Sequence, residues 1–126
     1  MTFDAAITFL LVADLERSHH FYGHLLGLPL ALDQGSCRIY RVAEGGYLGT
    51  CRRPAGVSPE GIIVTLVSPD VDEWHERLAA AGVPCEKPPT LNEEYRVYHC
   101  FFRDPDGYLV EIQEFRDERW ENPAHS

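Results

Sequence analysis

The stretch Asp104 to Glu111, with the sequence DPDGYLVE, decides the fold of this chain. Pro105 fixes φ at the first corner of a tight turn, and Gly107 can take the positive φ that the exit from such a turn often needs. The residues after the turn form a strand in which alternate side chains lie on opposite faces, so that Glu111 and Gln113 share one face. A carboxylate in an otherwise apolar strand is costly to bury without a partner. Glu111 is therefore predicted either to contact a ligand or to be solvated in a groove.

The first half of the chain, about residues 5–52, is predicted to contain one strand, one helix and three further strands. Ala5 to Val12 is a continuous apolar strand, and Asp14 follows it at a position that favours a helix N-cap. Apolar residues then recur at helical spacing until Gly27, which can end the helix. Three short strands follow, and glycines separate them.

The second half, about residues 61–115, repeats this order. A β-branched strand begins near Gly61, and Asp70 and Glu73 have the spacing of a helix capping box. After the helix we expect a short strand, a long loop over Pro88 to Arg96, and two more strands, the last of which carries Glu111.

A segment with two prolines and a glycine, residues 53–60, is predicted to link the two halves, and residues 116–126 form a polar tail. We therefore predict an α+β fold in which residues 1–126 form one domain of two βαβββ modules. The modules are expected to form a curved, barrel-like sheet with both helices on its outer face.

The turn motif, together with Phe21, Tyr22 and the segment LLGL at 25–28, resembles the vicinal oxygen chelate superfamily. That superfamily includes glyoxalase I, the bleomycin-resistance proteins and the extradiol dioxygenases. The resemblance covers about Ala5 to Phe115, and it implies that paired modules enclose a cleft for a small molecule. Dimers are usual in this family, so we expect a homodimer.

The resemblance also implies where a divalent metal ion would bind in the enzymes of this family. One ligand lies in the first strand of each module, where this chain has Ile7 and Ile63 (or Ile62), and one is the glutamate after the turn, matched by Glu111. Because a lone carboxylate does not hold a catalytic divalent ion, we expect no metal and no other cofactor, with a divalent metal as the alternative. His99 is predicted on the same face as Glu111, where it could supply a second ligand or form a metal-free polar pair.

The residues predicted to contact a ligand either present an apolar side chain to the cleft or place a polar group in it or near its mouth. They are Ile7, Phe9, Arg38, Tyr40, Ile63, Tyr95, Arg96, Phe101 and Gln113. Core packing is the alternative for Arg38 and Tyr40, and an ordinary surface loop is the alternative for Tyr95 and Arg96. Phe101 stands where the extradiol dioxygenases that the chain resembles place a tyrosine, so ring-cleaving dioxygenation is not expected.

Composition argues against several other classes of protein. The 11 basic and 20 acidic residues give a net charge of −9, which disfavours nucleic-acid binding. The longest N-terminal apolar run, Ala5 to Ala13, is too short for a membrane span and lacks a preceding basic region, so no membrane partner and a cytoplasmic location are expected. The four scattered cysteines are expected to be reduced. His20 and His24, four residues apart on the first helix, are expected to be solvated.

These observations predict a small-molecule-binding protein of the glyoxalase/bleomycin-resistance type that lacks the usual metal site. Its ligand is expected to be aromatic or amphipathic. The alternative is a lyase, isomerase or dioxygenase-like enzyme that uses Glu111 and His99, either with a metal or by acid–base chemistry. The sequence leaves open the identity of the ligand and whether one chain or two complete the cleft.

Overall fold

A computed structural model describes residues 1–53 and 55–121, and the chain divides into two compact units. The first comprises Met1–Gly61 together with Asp104–Tyr108. The second comprises Ile62–Arg103 together with the described residues from Leu109 onward. The DPDG turn therefore groups with the first unit, although the strands on either side of it belong to the second.

The first unit is a four-stranded sheet with one helical segment. Its elements are β1 (Ala6–Val12), α1 (Leu15–His19), a π-helix (His20–Leu25), β2 (Leu30–Asp33), β3 (Cys37–Ala43) and β4 (Gly46–Arg52). The strand order is β1-β4-β3-β2, with β1 parallel to β4 and the other pairs antiparallel. This is the βαβββ order predicted from the sequence.

The second unit has the same topology. Its elements are β5 (Ile63–Val67), α2 (Val71–Ala80), β6 (Cys85–Asn92), β7 (Val97–Arg103) and β8 (Leu109–Phe115). The strand order is β5-β8-β7-β6, with β5 parallel to β8. The predicted α+β fold with two βαβββ modules is confirmed; the prediction that the two sheets together enclose a groove stays a prediction.

The helix ends follow the predicted signals in part. Asp14 is the N-cap of α1, where its Oδ1 accepts the backbone N–H of Arg17 at 3.0 Å, and Gly27 adopts a positive φ after the π-helix. The predicted capping box at α2 is wrong, because the side chain of Asp70 makes no cap hydrogen bond; instead the hydroxyl of Ser68 accepts the N–H of Asp70. None of the helices in the described part of the chain is long and apolar enough to cross a bilayer.

The segment predicted as a long loop is mostly strand. β6 continues through Pro88 and Pro89 to Asn92, and only residues 93–96 form a turn. β6 lies at the edge of its sheet, and its register with β7 shifts between Lys87 and Thr90. An edge strand pairs with a neighbouring strand on one side only. Proline, which has no backbone N–H, is therefore tolerated where that N–H would face solvent or where the register is irregular.

Each unit buries apolar residues between one sheet face and its helical segment. The buried side chains include Leu10, Val12, Tyr22 and Leu48 in the first unit and Val64, Leu78, Phe102 and Ile112 in the second. The opposite sheet faces carry exposed apolar residues, among them Phe9 in the first unit and Ile63 in the second. The helical segment of each unit leaves this second face of its own sheet uncovered.

The expectation that all four cysteines are reduced is wrong for one pair. Cys37 and Cys51 are directly opposite each other on β3 and β4 and form a disulfide. Cys85 and Cys100 are free thiols, the first exposed and the second buried.

Candidate functional site

Glu111 and His99 meet on neighbouring strands of the second unit. In the antiparallel ladder Phe101 pairs with Glu111 and His99 pairs with Gln113, so Glu111 and His99 are diagonal neighbours on one face. Nδ1 of His99 lies 2.6 Å from Oε2 of Glu111. The prediction that these two side chains share a face is therefore confirmed by direct contact.

A third residue, which the sequence reasoning missed, completes this contact. Thr65 pairs with Glu111 in the parallel ladder of β5 and β8, and its hydroxyl donates to Oε1 of Glu111 at 2.8 Å. Both carboxylate oxygens of Glu111 are thus engaged by neighbouring side chains. We refer to Thr65, Glu111 and His99 as the polar cluster.

The polar cluster leaves one ring nitrogen without a partner. The His99 side chain is 7% exposed, and among the described residues its Nε2 has no hydrogen-bond partner. The ring of Phe101 contacts the imidazole edge-to-face, with 4.8 Å between centroids. A buried polar atom without a partner is rare in native proteins and needs a ligand, a water molecule or a functional reason.

Apolar side chains adjoin the polar cluster on the same face. Ile63 and Val67 lie two residues before and after Thr65 on β5 and are 55% and 54% exposed. Phe101 is partly exposed, whereas Gln113 is buried. Of the residues predicted to contact a ligand, the structure therefore places Ile63, Phe101 and Gln113 on the face of the polar cluster.

Tyr95 and Arg96 lie in the turn between β6 and β7. The ring of Tyr95 is exposed, and its backbone N–H donates to Oδ1 of Asn92. Arg96 adopts a positive φ and lies 4.0 Å from a carboxylate oxygen of Asp117. These contacts define a tight turn; the prediction that the turn grips a ligand stays a prediction.

Ile7 and Phe9 lie on β1 in the first unit, on the face away from α1, and both are exposed. Phe9 is directly opposite Gly49 on β4, and its ring covers that glycine so closely that a Cβ at residue 49 would fall 2.3 Å from the ring. Gly49 therefore lets an aromatic ring lie flat on the sheet. Whether these residues line the same site as the polar cluster stays a prediction.

Arg38 and Tyr40 lie on the other face of the first sheet, against the helical segment. Arg38 forms an ion pair with Glu16 of α1, and the hydroxyl of Tyr40 lies 2.8 Å from Nδ1 of His19. Tyr40 is fully buried, and burial raises the pKa of its hydroxyl. They lie on the face opposite the one that carries Ile7, so their contacts match the core-packing alternative, and a role in ligand binding stays a prediction.

Asp104 in the turn motif holds structure together. Its Oδ1 accepts the backbone N–H groups of Asp106 and Tyr108 at 2.9 and 2.8 Å, and its Oδ2 accepts the hydroxyl of Tyr22 at 2.6 Å. Burial raises the pKa of Asp104, although these hydrogen bonds act in the opposite direction. Burial also raises the pKa of Tyr22, so its hydroxyl remains a donor.

Asp106 extends this network to the first helix. Its Oδ1 accepts the backbone N–H of Ala13 at 2.9 Å and pairs with Arg17 at 3.0 Å, and the hydroxyl of Tyr108 donates to the carbonyl of Leu11 at 2.6 Å. The DPDG motif therefore ties the turn to the junction between β1 and α1. In this chain its aspartates form structural hydrogen bonds, and Glu111, which follows the turn, belongs to the polar cluster.

A family model described as the glyoxalase/bleomycin resistance protein/dioxygenase superfamily matches residues 5–112. The chain belongs to this superfamily, as its resemblance to the vicinal oxygen chelate proteins implied.

Several individual proteins are also similar to this chain. The uncharacterized protein YraH of Bacillus subtilis is 30% identical over 117 residues, which cover 82% of this chain and 91% of YraH. A glyoxalase-related enzyme from Fulvimarina pelagi has a TM-score of 0.76 and 25% identity, with coverage of 95% of this chain and 92% of that one. The lactoylglutathione lyase from Agrobacterium tumefaciens has a TM-score of 0.74 and 23% identity, with coverage of 91% and 96% respectively, and this likeness concerns the fold alone.

The donor set does not fit the divalent metal that the family implies. Ile7 and Ile63 have no donor atoms, and the two oxygens of Glu111 already accept hydrogen bonds from Thr65 and His99. Within residues 1–53 and 55–121, no three His, Cys, Asp or Glu side chains come together in a group that could hold a metal ion. A protein site for zinc or a similar ion normally needs at least three such ligands.

Proposed function

We propose that this chain is a small-molecule-binding protein of its superfamily that works without a metal or other cofactor. Its ligand is an aromatic or amphipathic compound that lies on the face of the second sheet bearing the polar cluster. The observation that carries the proposal is the engagement of both Glu111 oxygens by Thr65 and His99, which replaces metal coordination with a hydrogen-bonded pair.

The composition of this face supports the choice of ligand. Exposed Ile63 and Val67 offer apolar contact area, and the partly exposed ring of Phe101 can stack on an aromatic compound. A few polar groups beside apolar side chains are the usual make-up of a site for a small organic molecule. The net charge of −9 gives no reason to expect a polyanionic partner.

We further propose a cytoplasmic location and, because dimers are usual in this superfamily, a homodimer. The exposed apolar residues on β1 and β2 of the first unit, which include Phe9 and Leu32, are compatible with such a contact. Light scattering after size-exclusion chromatography measures the assembly state, and a mass near 14.3 kDa would contradict the dimer.

Chemical-shift mapping with a panel of aromatic compounds tests the binding function. We expect the amide signals of Thr65, His99 and Glu111 to shift, and those of Leu78 on the helix side of the same sheet to stay unchanged. Ile63→Lys places a charge on the proposed face and should abolish the shifts.

Leu91→Lys is the matched control for this variant. Leu91 pairs with Tyr98, whose hydroxyl donates to Asp72 of α2, so Leu91 is an exposed apolar residue on the helix side of the same sheet. The Leu91 variant should bind as the unsubstituted protein does. Equal loss of binding in both variants, or shifts confined to the helix side, would contradict the proposal.

A second candidate is an enzyme that uses His99 as a general base. The orphan Nε2 favours it, because a carboxylate that orients an imidazole through Nδ1 leaves Nε2 available to accept a proton. Deuterium exchange at an acidic C–H of an aromatic ketone in D₂O tests this candidate. Exchange that the protein accelerates and His99→Leu abolishes would establish catalysis; exchange at the solvent rate leaves binding as the function.

A further inference from the structure

The polar cluster fixes the chemical class of the ligand's polar group, given the proposed binding function. We propose that the ligand carries a neutral hydrogen-bond donor, an aromatic hydroxyl, which donates to Nε2 of His99. Ligands whose only polar group is a carboxylate, ketone or ether are excluded, because none of these groups can donate.

The hydrogen bonds to Glu111 determine which ring nitrogen carries the proton. The hydroxyl of Thr65 donates to Oε1 of Glu111 at 2.8 Å, which leaves Oε2 to face His99. An ionised carboxylate can only accept, so Nδ1 of His99, 2.6 Å from Oε2, must be the donor. The neutral imidazole is therefore protonated at Nδ1 and has a lone pair at Nε2.

Nε2 of His99 has no partner within the described part of the protein. It is buried, and the side chain is 7% exposed. A buried acceptor without a donor is costly to leave unpaired. We assign Nε2 as an acceptor, and the ligand must supply the donor.

The neighbouring side chains narrow this donor to an aromatic hydroxyl. Ile63 and Val67 are apolar, and an ammonium group would have to lose its hydration against them, which is costly. The ring of Phe101 contacts the imidazole and is partly exposed, so it is the side chain that we expect to move when a ligand reaches Nε2. Its position favours an aromatic skeleton next to the donor.

Three matched probes test the inference: 2-naphthol, 2-methoxynaphthalene and 2-naphthoate at neutral pH. Each has the same ring system, and they present a donor, an acceptor and an anion respectively. Dissociation constants from chemical-shift titration should be lowest for 2-naphthol, by about tenfold or more relative to the methyl ether, since a buried acceptor left unpaired costs about one factor of ten or more. In His99→Leu the two neutral probes should bind equally well.

His75→Leu is the matched control, because His75 is a histidine of the same unit that lies on α2 and contacts Cys85 and Phe102. This variant should keep the preference for 2-naphthol. Equal binding of 2-naphthol and its methyl ether to the unsubstituted protein would overturn the inference and leave the binding function standing. Tightest binding of 2-naphthoate would also overturn it, because Nε2 would then be a donor. Binding of none of the probes would overturn the proposed function, and the inference with it.

The tautomer can also be measured in the unsubstituted protein, so the test does not depend on the folding of the His99 variant. Long-range ¹H–¹⁵N correlation spectra should show a protonated Nδ1 and an unprotonated Nε2 for His99. On addition of 2-naphthol the Nε2 signal should move in the direction of hydrogen bonding. A protonated Nε2 in the free protein would overturn the inference.

Discussion

Replacing Asp104 by alanine tests whether the three hydrogen bonds of its carboxylate stabilise the fold. Its carboxylate accepts the N–H groups of Asp106 and Tyr108 and the hydroxyl of Tyr22, at 2.9, 2.8 and 2.6 Å. Alanine removes both acceptor oxygens, and with them all three hydrogen bonds, and leaves the three donors in place. Tyr22 and Tyr108 are 0% and 2% exposed, so water does not readily replace the lost oxygens.

The expected loss in the free energy of unfolding follows from these three hydrogen bonds. A buried donor left unpaired costs about 1–3 kcal/mol, and removal of a buried carboxylate returns part of its own desolvation cost. We expect Asp104→Ala to lower the free energy of unfolding by about 3–5 kcal/mol, a large share of the about 5–15 kcal/mol of a small domain. Asp104→Asn keeps an oxygen for both N–H groups, and its amide can donate to the Tyr22 oxygen, so it should cost about 1 kcal/mol or less.

Urea unfolding followed by circular dichroism measures both variants. Asp33→Ala is the control, because Asp33 makes a comparable turn contact with the N–H of Gly35 but its side chain is 48% exposed; it should change the free energy of unfolding by about 0.5 kcal/mol or less. A fall in the free energy of unfolding of less than about 1 kcal/mol in Asp104→Ala, or an equal fall in the alanine and asparagine variants, would refute a stabilising role for the Asp104 hydrogen bonds.

Two further predictions concern pH and thiol chemistry. Burial raises the pKa of Asp104, so the folded state binds its proton more tightly than the unfolded state does. The stability of the unsubstituted protein relative to Asp104→Asn should therefore fall as the pH rises from the ordinary aspartate pKa through the raised one. Urea unfolding of both proteins from pH 4 to pH 7 measures this difference, and a difference that grows with pH would contradict the prediction. A thiol-labelling disulfide reagent should modify Cys85 alone in the folded protein, because Cys100 is buried and burial raises its pKa to about 12. Cys37 and Cys51 should become reactive only after their disulfide is reduced. Labelling of Cys100 in the folded protein at the rate of Cys85 would contradict this prediction.

The sequence predicted the order of the elements because the signals there are local. The switch from alternating to helical spacing near Asp14, the positive-φ position at Gly27, and the turn at Gly107 each depend on a few neighbouring residues, and the structure confirms all three. The face shared by Glu111 and His99 also followed from alternation along two strands.

The features that the sequence analysis did not predict depend on how the strands pair. Thr65 reaches Glu111 only because β5 lies parallel to β8 in that register, which no local pattern specifies. The Cys37–Cys51 disulfide had a usable signal, since a hairpin centred on Glu44 places the two cysteines opposite each other.

The sequence also leaves open which face of the first sheet meets the helical segment, because that depends on packing and not on a local pattern. Arg38 and Tyr40 share a face, as alternation requires, but only the packing of Glu16 and His19 against them shows that this face meets the helical segment. The two prolines of β6 indicate a loop by local pattern alone. A strand accepts them only at a sheet edge, and the sequence does not show that β6 lies there.

Metal content measures the central claim most directly. Elemental analysis of protein purified without chelator, followed by calorimetric titration with Ni²⁺, Mn²⁺, Zn²⁺ and Fe²⁺, compares the unsubstituted protein with Glu111→Gln. Glu114→Gln is the control, because Glu114 is on the same strand but bonds to Arg116. The rings of His20 and His24 stack on each other in the first helical segment and could bind a metal ion weakly. Such binding does not involve Glu111, so it would remain in both glutamine variants.

We predict no stoichiometric metal and no binding that depends on Glu111. One tightly bound ion per chain, lost in Glu111→Gln and kept in Glu114→Gln, would contradict the account.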